Sequence, residues 1–514
     1  MAKPGAPQRY KDIPLEIAGS TKFGRYPKMS SEQTFNMIVS DGWLVPFAGY
    51  KNVVTINPTG EGRGIYSSAK LNKMFAVIDN DLWIFDTNLA KSNGGRLSTS
   101  IGDVFIAENN AGQIAISDGS NIYIYDNTSN VFTTLTSAAL GFKPGYLTFQ
   151  DGRFISPDTA TNQWRLSESN NGLVWPSTAA FVGAVQTKPD HAVACIRFPS
   201  RGNLLLVFGA TVTEQWYDVG AQLFPYQRSQ STNIDYGCIN PATIAEGENF
   251  VCWVAANEKS GPVIMYTNGG EIEHISTDGI DFQLANLQHP TNCYGYMFKQ
   301  DGHLFYVACW PEDNFSYAYD FKTQAFYTVS DENLNVYIAK KVAFFNERYY
   351  FVSLNDGNLY QMSSNFTDYD YGNDVVKEIP RIRIPKNVQM PDQSRFVAGY
   401  VGFTIEQGQF DYDDINTEFD LTTQDGSFIT TQNGVIIGGG EDFTDNVPRI
   451  DLSLSKDGGV NWGSDVGITM RPLGVRQNKL IWWRLGAAND LTPQFRFYGF
   501  GRFVATNGVL GVYQ

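Results

Sequence analysis

Between residues 73 and 363 the chain repeats one phrase seven times: a β-rich run, a short polar turn, and a second β-rich run. The phrases are KMFAVIDNDLWIFD, GQIAISDGSNIYIYD, GRFISPDTATNQWRLSE, NLLLVFGATVTEQWYD, NFVCWVAANEKSGPVIMYT, HLFYVACWPEDNFSYAYD and RYYFVSLNDGNLYQMS. Each has the pattern of an antiparallel hairpin. Taking Trp83, Tyr123, Trp164, Trp216, Met265, Tyr319 and Tyr360 as equivalent gives steps of about 40 to 54 residues, the range of propeller blades. Hairpins leave unpaired edges, and closing them into a ring removes those edges. The expected fold is therefore all-β, centred on a β-propeller over 61–377 with about seven blades, six being the alternative. A row of β-sandwiches with regular hairpins is the competing reading.

A second repeat supports the first. YDNTSNVF at Tyr125, YDVGAQLF at Tyr217 and YDFKTQAF at Tyr319 share Y-D-x5-F. The aspartate can accept backbone N–H bonds at the start of a turn, while the flanking aromatics pair across the two strands it joins. An aromatic content of 14% and 49 glycines suit a fold of many strands and tight turns.

The ends break this period. Residues 1–60 read as an extended N-terminal arm and lead-in, net-positive through Lys3, Arg9, Lys11, Lys22, Arg25 and Lys28 against Asp12 and Glu16. An arm of this kind can grip a neighbouring subunit. Residues 378–514 carry strand patterns such as IPRIRIPKNVQ, RIDLSLSKDGGVNW and KLIWWRLGAA, which predict a C-terminal β-sandwich-like domain.

The charge restricts partners. Thirty-eight Lys and Arg against 53 Asp and Glu leave a net charge of −15, which repels polyanions and argues against a clamp that grips DNA through its phosphates. Such a surface suits DNA that must slide past. Cys195, Cys238, Cys252, Cys293 and Cys309 are odd in number with no CxxC pair, so buried free thiols in a reducing compartment are expected. No signal peptide and no run near the roughly 20 apolar residues of a membrane span is visible, pointing to a soluble product of a cytoplasm.

Chemistry is sparse. His191, His274, His289 and His303 are scattered without metal-ligand spacing. GVIIGGGEDF lacks the lysine of a phosphate loop, and Asp411, Asp413 and Asp414 lack the rest of a calcium loop. No GxSxG elbow is present. No catalytic residue, metal or cofactor is therefore expected.

One motif points elsewhere. Ser455, Asp457, Gly459 and Trp462 match the Asp-box pattern S-x-D-x-G-x-x-W that decorates sialidase propellers, so an Asp-box glycosidase or glycan-binding protein is the alternative function. A sialidase also needs an arginine cluster and a tyrosine nucleophile. Arg153, Arg165, Arg197, Arg201 and Arg228 show no selective spacing, and PRIRIP, which is similar to a sialidase motif, lies after the blades. The Asp-box is itself a well-made turn: serine and aspartate bond the backbone, glycine gives freedom and tryptophan covers the hairpin. A looser echo, SESNNGLVW, holds Asn170, Gly172 and Trp175.

The stretches SEQTFNMIVSDGWLVPFAGY, LSLSKDGGVNWG, GVRQNKLIWWRLGAAND and FRFYGFG, with GRFISPDTATNQWRLSESNNGLVWP and LLLVFGATVTEQWYDVG between them, resemble the packaged-DNA-stabilisation, or tail hub and nozzle, family of short-tailed bacteriophages. The resemblance implies a structural virion protein assembled in the host bacterial cytoplasm. It also implies a homohexameric ring below the portal and its adaptor ring. Such a ring forms the DNA exit channel, helps retain packaged double-stranded DNA, and anchors tail needle or tip and tailspike proteins.

Overall fold

The computed structural model describes residues 10–23, 31–221, 224–230, 232–409, 449–470, 478–499 and 502–513. Within it, the seven equivalent positions fall on the third strands of seven successive sheets. The first blade is Gly62–Ser68, Lys73–Ile78, Asp81–Phe85 and Lys91–Arg96. Five more follow, each from one continuous stretch, at 105–136, 148–184, 192–228, 237–274 and 294–328. To these six contiguous blades the ring adds a composite one: Ala339–Phe345, Arg348–Ser353 and Gly357–Ser363 are completed by Gly49–Asn57 from before the first blade. That late pairing closes the circle, and Ala339–Phe345 packs on Gly62–Ser68.

Middle strands are buried on both faces, as Gln113–Ser117 and Leu204–Gly209 show at every position. An apolar cluster lies between each pair of neighbouring blades: Phe75 and Ile84 meet Ile114 and Tyr123 at one boundary, and Met74 and Ile78 meet Val352 and Leu359 at the closing one. Hairpins turn at Asp-Gly pairs whose residues are both left-handed, including Asp151–Gly152 (φ 49° and 80°) and Asp301–Gly302 (49° and 79°), the geometry that matches strand twist. The Y-D-x5-F turns form as expected at two sites. Tyr125 lies opposite Phe132 and Tyr319 opposite Phe326, while Asp126 accepts from the N–H groups of Thr128 and Ser129, both at 2.9 Å.

The remaining strands form two sheets facing across one apolar core, with Phe403, Trp482, Leu510 and Val512 on one side and Ile450, Leu452, Phe495 and Phe497 on the other. The described strands of the expected N-terminal arm and lead-in pair with the rest of the chain. Lys11–Leu15 pairs with Gly508–Tyr513, Ser31–Phe35 with Arg381–Ile384, Trp43–Pro46 with Arg502–Ala505, and Gly49–Asn57 belongs to the ring. Open edges of the sandwich and the last blade offer backbone partners that an extended segment would otherwise lack. Lys3, Arg9, Arg25, Lys28, the run Asp411, Asp413, Asp414 and GVIIGGGEDF lie outside the described residues.

Candidate functional site

Ring and sandwich are joined by one continuous sheet, because Phe35 of Ser31–Phe35 pairs in parallel with Thr328 on the outer strand of the sixth blade. Around it the contact is polar and buried. Asn36, left-handed at φ 53°, donates from its backbone to the Thr328 carbonyl (2.9 Å) and from Nδ2 to Ser330 Oγ (2.9 Å) and the Pro380 carbonyl (3.0 Å). Its Oδ1 accepts from Ser330 N–H at 2.8 Å.

Both arginines of PRIRIP serve this joint. Arg383, fully buried, donates to the carbonyls of Ser20 (3.1 Å) and Glu16 (2.8 Å), to Thr34 Oγ1 (3.1 Å) and to Glu32 Oε2 (3.0 Å). Gly19 admits it: a Cβ there would lie 2.2 Å from Arg383 Nη2. Arg381 donates to the Thr367 carbonyl at 2.8 Å and lies over the Phe503 ring; burial lowers its guanidinium to about 10. His303 is also part of the joint. Its Nδ1 meets Asp320 Oδ2 at 2.8 Å and its Nε2 meets Ser40 Oγ at 3.0 Å, with both His303 and Asp320 fully buried. The order serine, histidine, aspartate is that of a nucleophilic relay, but Ser40 lines none of the described cavities.

The Asp-box is a closed hydrogen-bonded turn after Arg449–Ser455, a sandwich strand. Ser455 Oγ donates to Asp457 Oδ1 (2.6 Å) and accepts from Gly459 N–H (2.8 Å). Asp457 also accepts from the N–H groups of Val460 (3.1 Å) and Asn461 (2.9 Å) and from Asn461 Nδ2 (2.7 Å). These donors, Asn461 N–H foremost, hold its carboxyl down at about 2. Gly458 and Gly459 are left-handed (φ 72° and 91°), and Trp462 lies half-buried against Gly459. The echo in the third blade is also a local turn, with Trp175 Nε1 donating to the Gly172 carbonyl at 2.9 Å.

Among the described residues no arginine constellation accompanies the Asp-box. Arg153 caps the Ser167 carbonyl, Arg165 meets Gln163, Arg201 caps the Gly269 carbonyl and Arg228 meets Thr187 and Glu214. Only Arg197 reaches the propeller axis, where a cavity of about 720 Å³ is lined by Glu108, Tyr146, Glu246, Lys341 and several aromatics. Enclosure lowers the Lys341 ammonium to about 8 and raises the Glu246 carboxyl to about 6, the latter pulled back by Arg197. A space of this size fits a small molecule.

The remaining polar candidates are likewise local. His191, His274 and His289 each lie beside one acid, all five cysteines are buried and free, and among the described residues no group of three donors is placed to hold a metal. Nor is any described helix long and apolar enough to cross a membrane.

A bacteriophage stabilisation family, described as Bacteriophage P22 Gp10, beta-propeller, matches residues 23–367. The chain belongs to this family. The matched span begins in the N-terminal strands, covers the ring including its composite blade, and stops before the sandwich strands of 381–513. No curated protein matches. Among solved structures the chain is similar to a streptogramin B lyase, at 11% identity and TM-score 0.42 over 63% of this chain and 99% of that one. A virginiamycin B lyase from Staphylococcus aureus is similar at 12% identity and TM-score 0.42, over 60% and 97%. A chain of a mitotic checkpoint complex follows at 10% identity and TM-score 0.37, over 71% and 98%.

What sequence reasoning missed is the joint. Arg381 and Arg383 lie in PRIRIP, whose letters do not announce a buried joint, and Ser40, His303 and Asp320 come from segments that share no local motif.

Proposed function

We propose that this family member is a non-enzymatic structural protein of a short-tailed phage tail. Six copies form a hub or nozzle ring below the portal and adaptor, giving the DNA exit channel, helping to retain packaged DNA, and anchoring tail tip or tailspike proteins. The observation that carries this reading is the family match over ring and lead-in. Two features support it. The buried joint makes ring and sandwich one stiff part, which suits a load-bearing subunit. The space on the propeller axis is of small-molecule scale, and DNA passes between copies, along walls of a chain with net charge −15 that do not hold phosphate. A head-to-tail contact repeated around an axis closes such a ring.

The Asp-box glycosidase reading has less support. Asp457 is occupied by turn donors, and Arg153, Arg165, Arg201 and Arg228 are each taken up by separate local partners. The reading is tested by negative-stain imaging of the purified protein alone and with its adaptor ring. Six-fold rings are expected, and monomers in both samples would overturn it.

A further inference from the structure

The sheet containing Asn478–Ala488 carries two adjacent tryptophans that face opposite ways. Trp482 is buried in the sandwich core and donates to the Val466 carbonyl at 2.8 Å. Trp483 projects outward and is 58% exposed, a costly placement for the largest apolar side chain unless something covers it.

Its surroundings are built to keep rings in place. Tyr400 lies 5.1 Å from Trp483 between centroids, and Tyr10 lies edge-on to Tyr400 at 5.6 Å and to Tyr513 at 5.4 Å. Two glycines give these rings a flat bed. A Cβ on Gly399 would stand 2.0 Å from the Tyr10 ring, and one on Gly511 would stand 2.1 Å from the Tyr400 ring. Ladder register shifts between Ala398 and Tyr400, and opposite that bulge Arg484 is left-handed at φ 63°. Bulges and left-handed non-glycine residues re-aim side chains and concentrate at binding sites.

Polar groups rim the shelf. Tyr400 Oη donates to Asp12 Oδ1 at 2.6 Å, Arg484 lines the cavity, and the Lys456 ammonium reaches to Gly486. The cavity is about 650 Å³. That is the scale of a small-ligand site, roughly 300–1,000 Å³.

We propose that this shelf is a carbohydrate-binding site. A pyranose ring lays its C–H face on Trp483 and Tyr400, while its hydroxyls donate to Asp12 and accept from Arg484 and Lys456. The site borders the Asp-box turn through Lys456, lies apart from the ring axis, and does not depend on the hub reading.

The test uses the full-length chain with three probes: maltohexaose, cellohexaose and a delipidated bacterial O-polysaccharide. Saturation-transfer NMR reads contact to the sugar protons, and tryptophan fluorescence reads affinity. Binding of at least one probe is expected, weakened about tenfold or more by Trp483→Ala, the scale of losing one rigid aromatic contact. Trp43→Ala, which removes another exposed tryptophan, should leave it unchanged. Absence of transfer from all three probes, or equal binding by Trp483→Ala, overturns the proposal. Loss of self-association in Trp483→Ala without sugar binding by the parent overturns it too and assigns the shelf to a protein contact.

Discussion

Replacing Arg383 with methionine tests whether the buried joint holds ring and sandwich together. The side chain has no exposure and supplies four donated hydrogen bonds, one of them to the Glu32 carboxylate. Methionine keeps much of the volume but strands Glu32, which is 6% exposed and among the described residues retains Lys22 at 3.6 Å as an ionic partner. Breaking a buried pair from one side costs about 3–5 kcal/mol, and the three unanswered oxygens belong to the same loss, not to an additional sum. Urea unfolding followed by tryptophan fluorescence measures it. If the stranded carboxylate is the main term, Arg383→Met with Glu32→Gln should recover a substantial part of the deficit. A loss below about 1 kcal/mol for the single variant, within the range of an ordinary surface change, would refute the claim. So would a double variant as unstable as the sum of the two singles.

Asp457→Ala should speed hydrogen exchange at the Gly459, Val460 and Asn461 amides and leave no glycosidase activity to lose. In the parent, the carboxyl held at about 2 stays ionised to lower pH than an ordinary aspartate, so the turn's protection should persist below pH 4 and fade as pH falls through about 2. Glu246 has the opposite sign. Its folded value near 6 lies above the ordinary 4.5, so its contribution is present in acid and lost as pH rises from about 4.5 through 6; Glu246→Gln should flatten that decline in stability. A thiol reagent such as DTNB should label none of the five buried cysteines in the native protein and all five in urea, and rapid native labelling would contradict the interblade packing.

Much of the ring was legible because its signal is local and repeated. Alternation and turn residues place a strand wherever the same phrase recurs, which is why seven positions chosen from spacing alone land on third strands. The lead-in was not legible in this way. Gly49–Asn57 becomes a blade strand only through partners some 300 residues later, a pairing that topology decides and no local pattern announces. The same holds at the joint, where Ser40 and His303 meet across 263 residues. Arg63 shows the limit most plainly. In sequence it is one more charged residue between glycines, yet it is fully buried and donates to the carbonyls of Asp79, Thr99, Ile101 and Gly102. By contrast, the Asp-box turn could be read from its letters because all its partners lie within a few residues.

The central claim is most directly tested by cryo-electron microscopy of the tail of a virion carrying this protein, reconstructed without imposed symmetry. The account predicts six copies in one ring beneath the portal and adaptor, with the DNA path between copies and every propeller axis closed to it. A chain absent from the tail, or a duplex threading a single propeller, would contradict it.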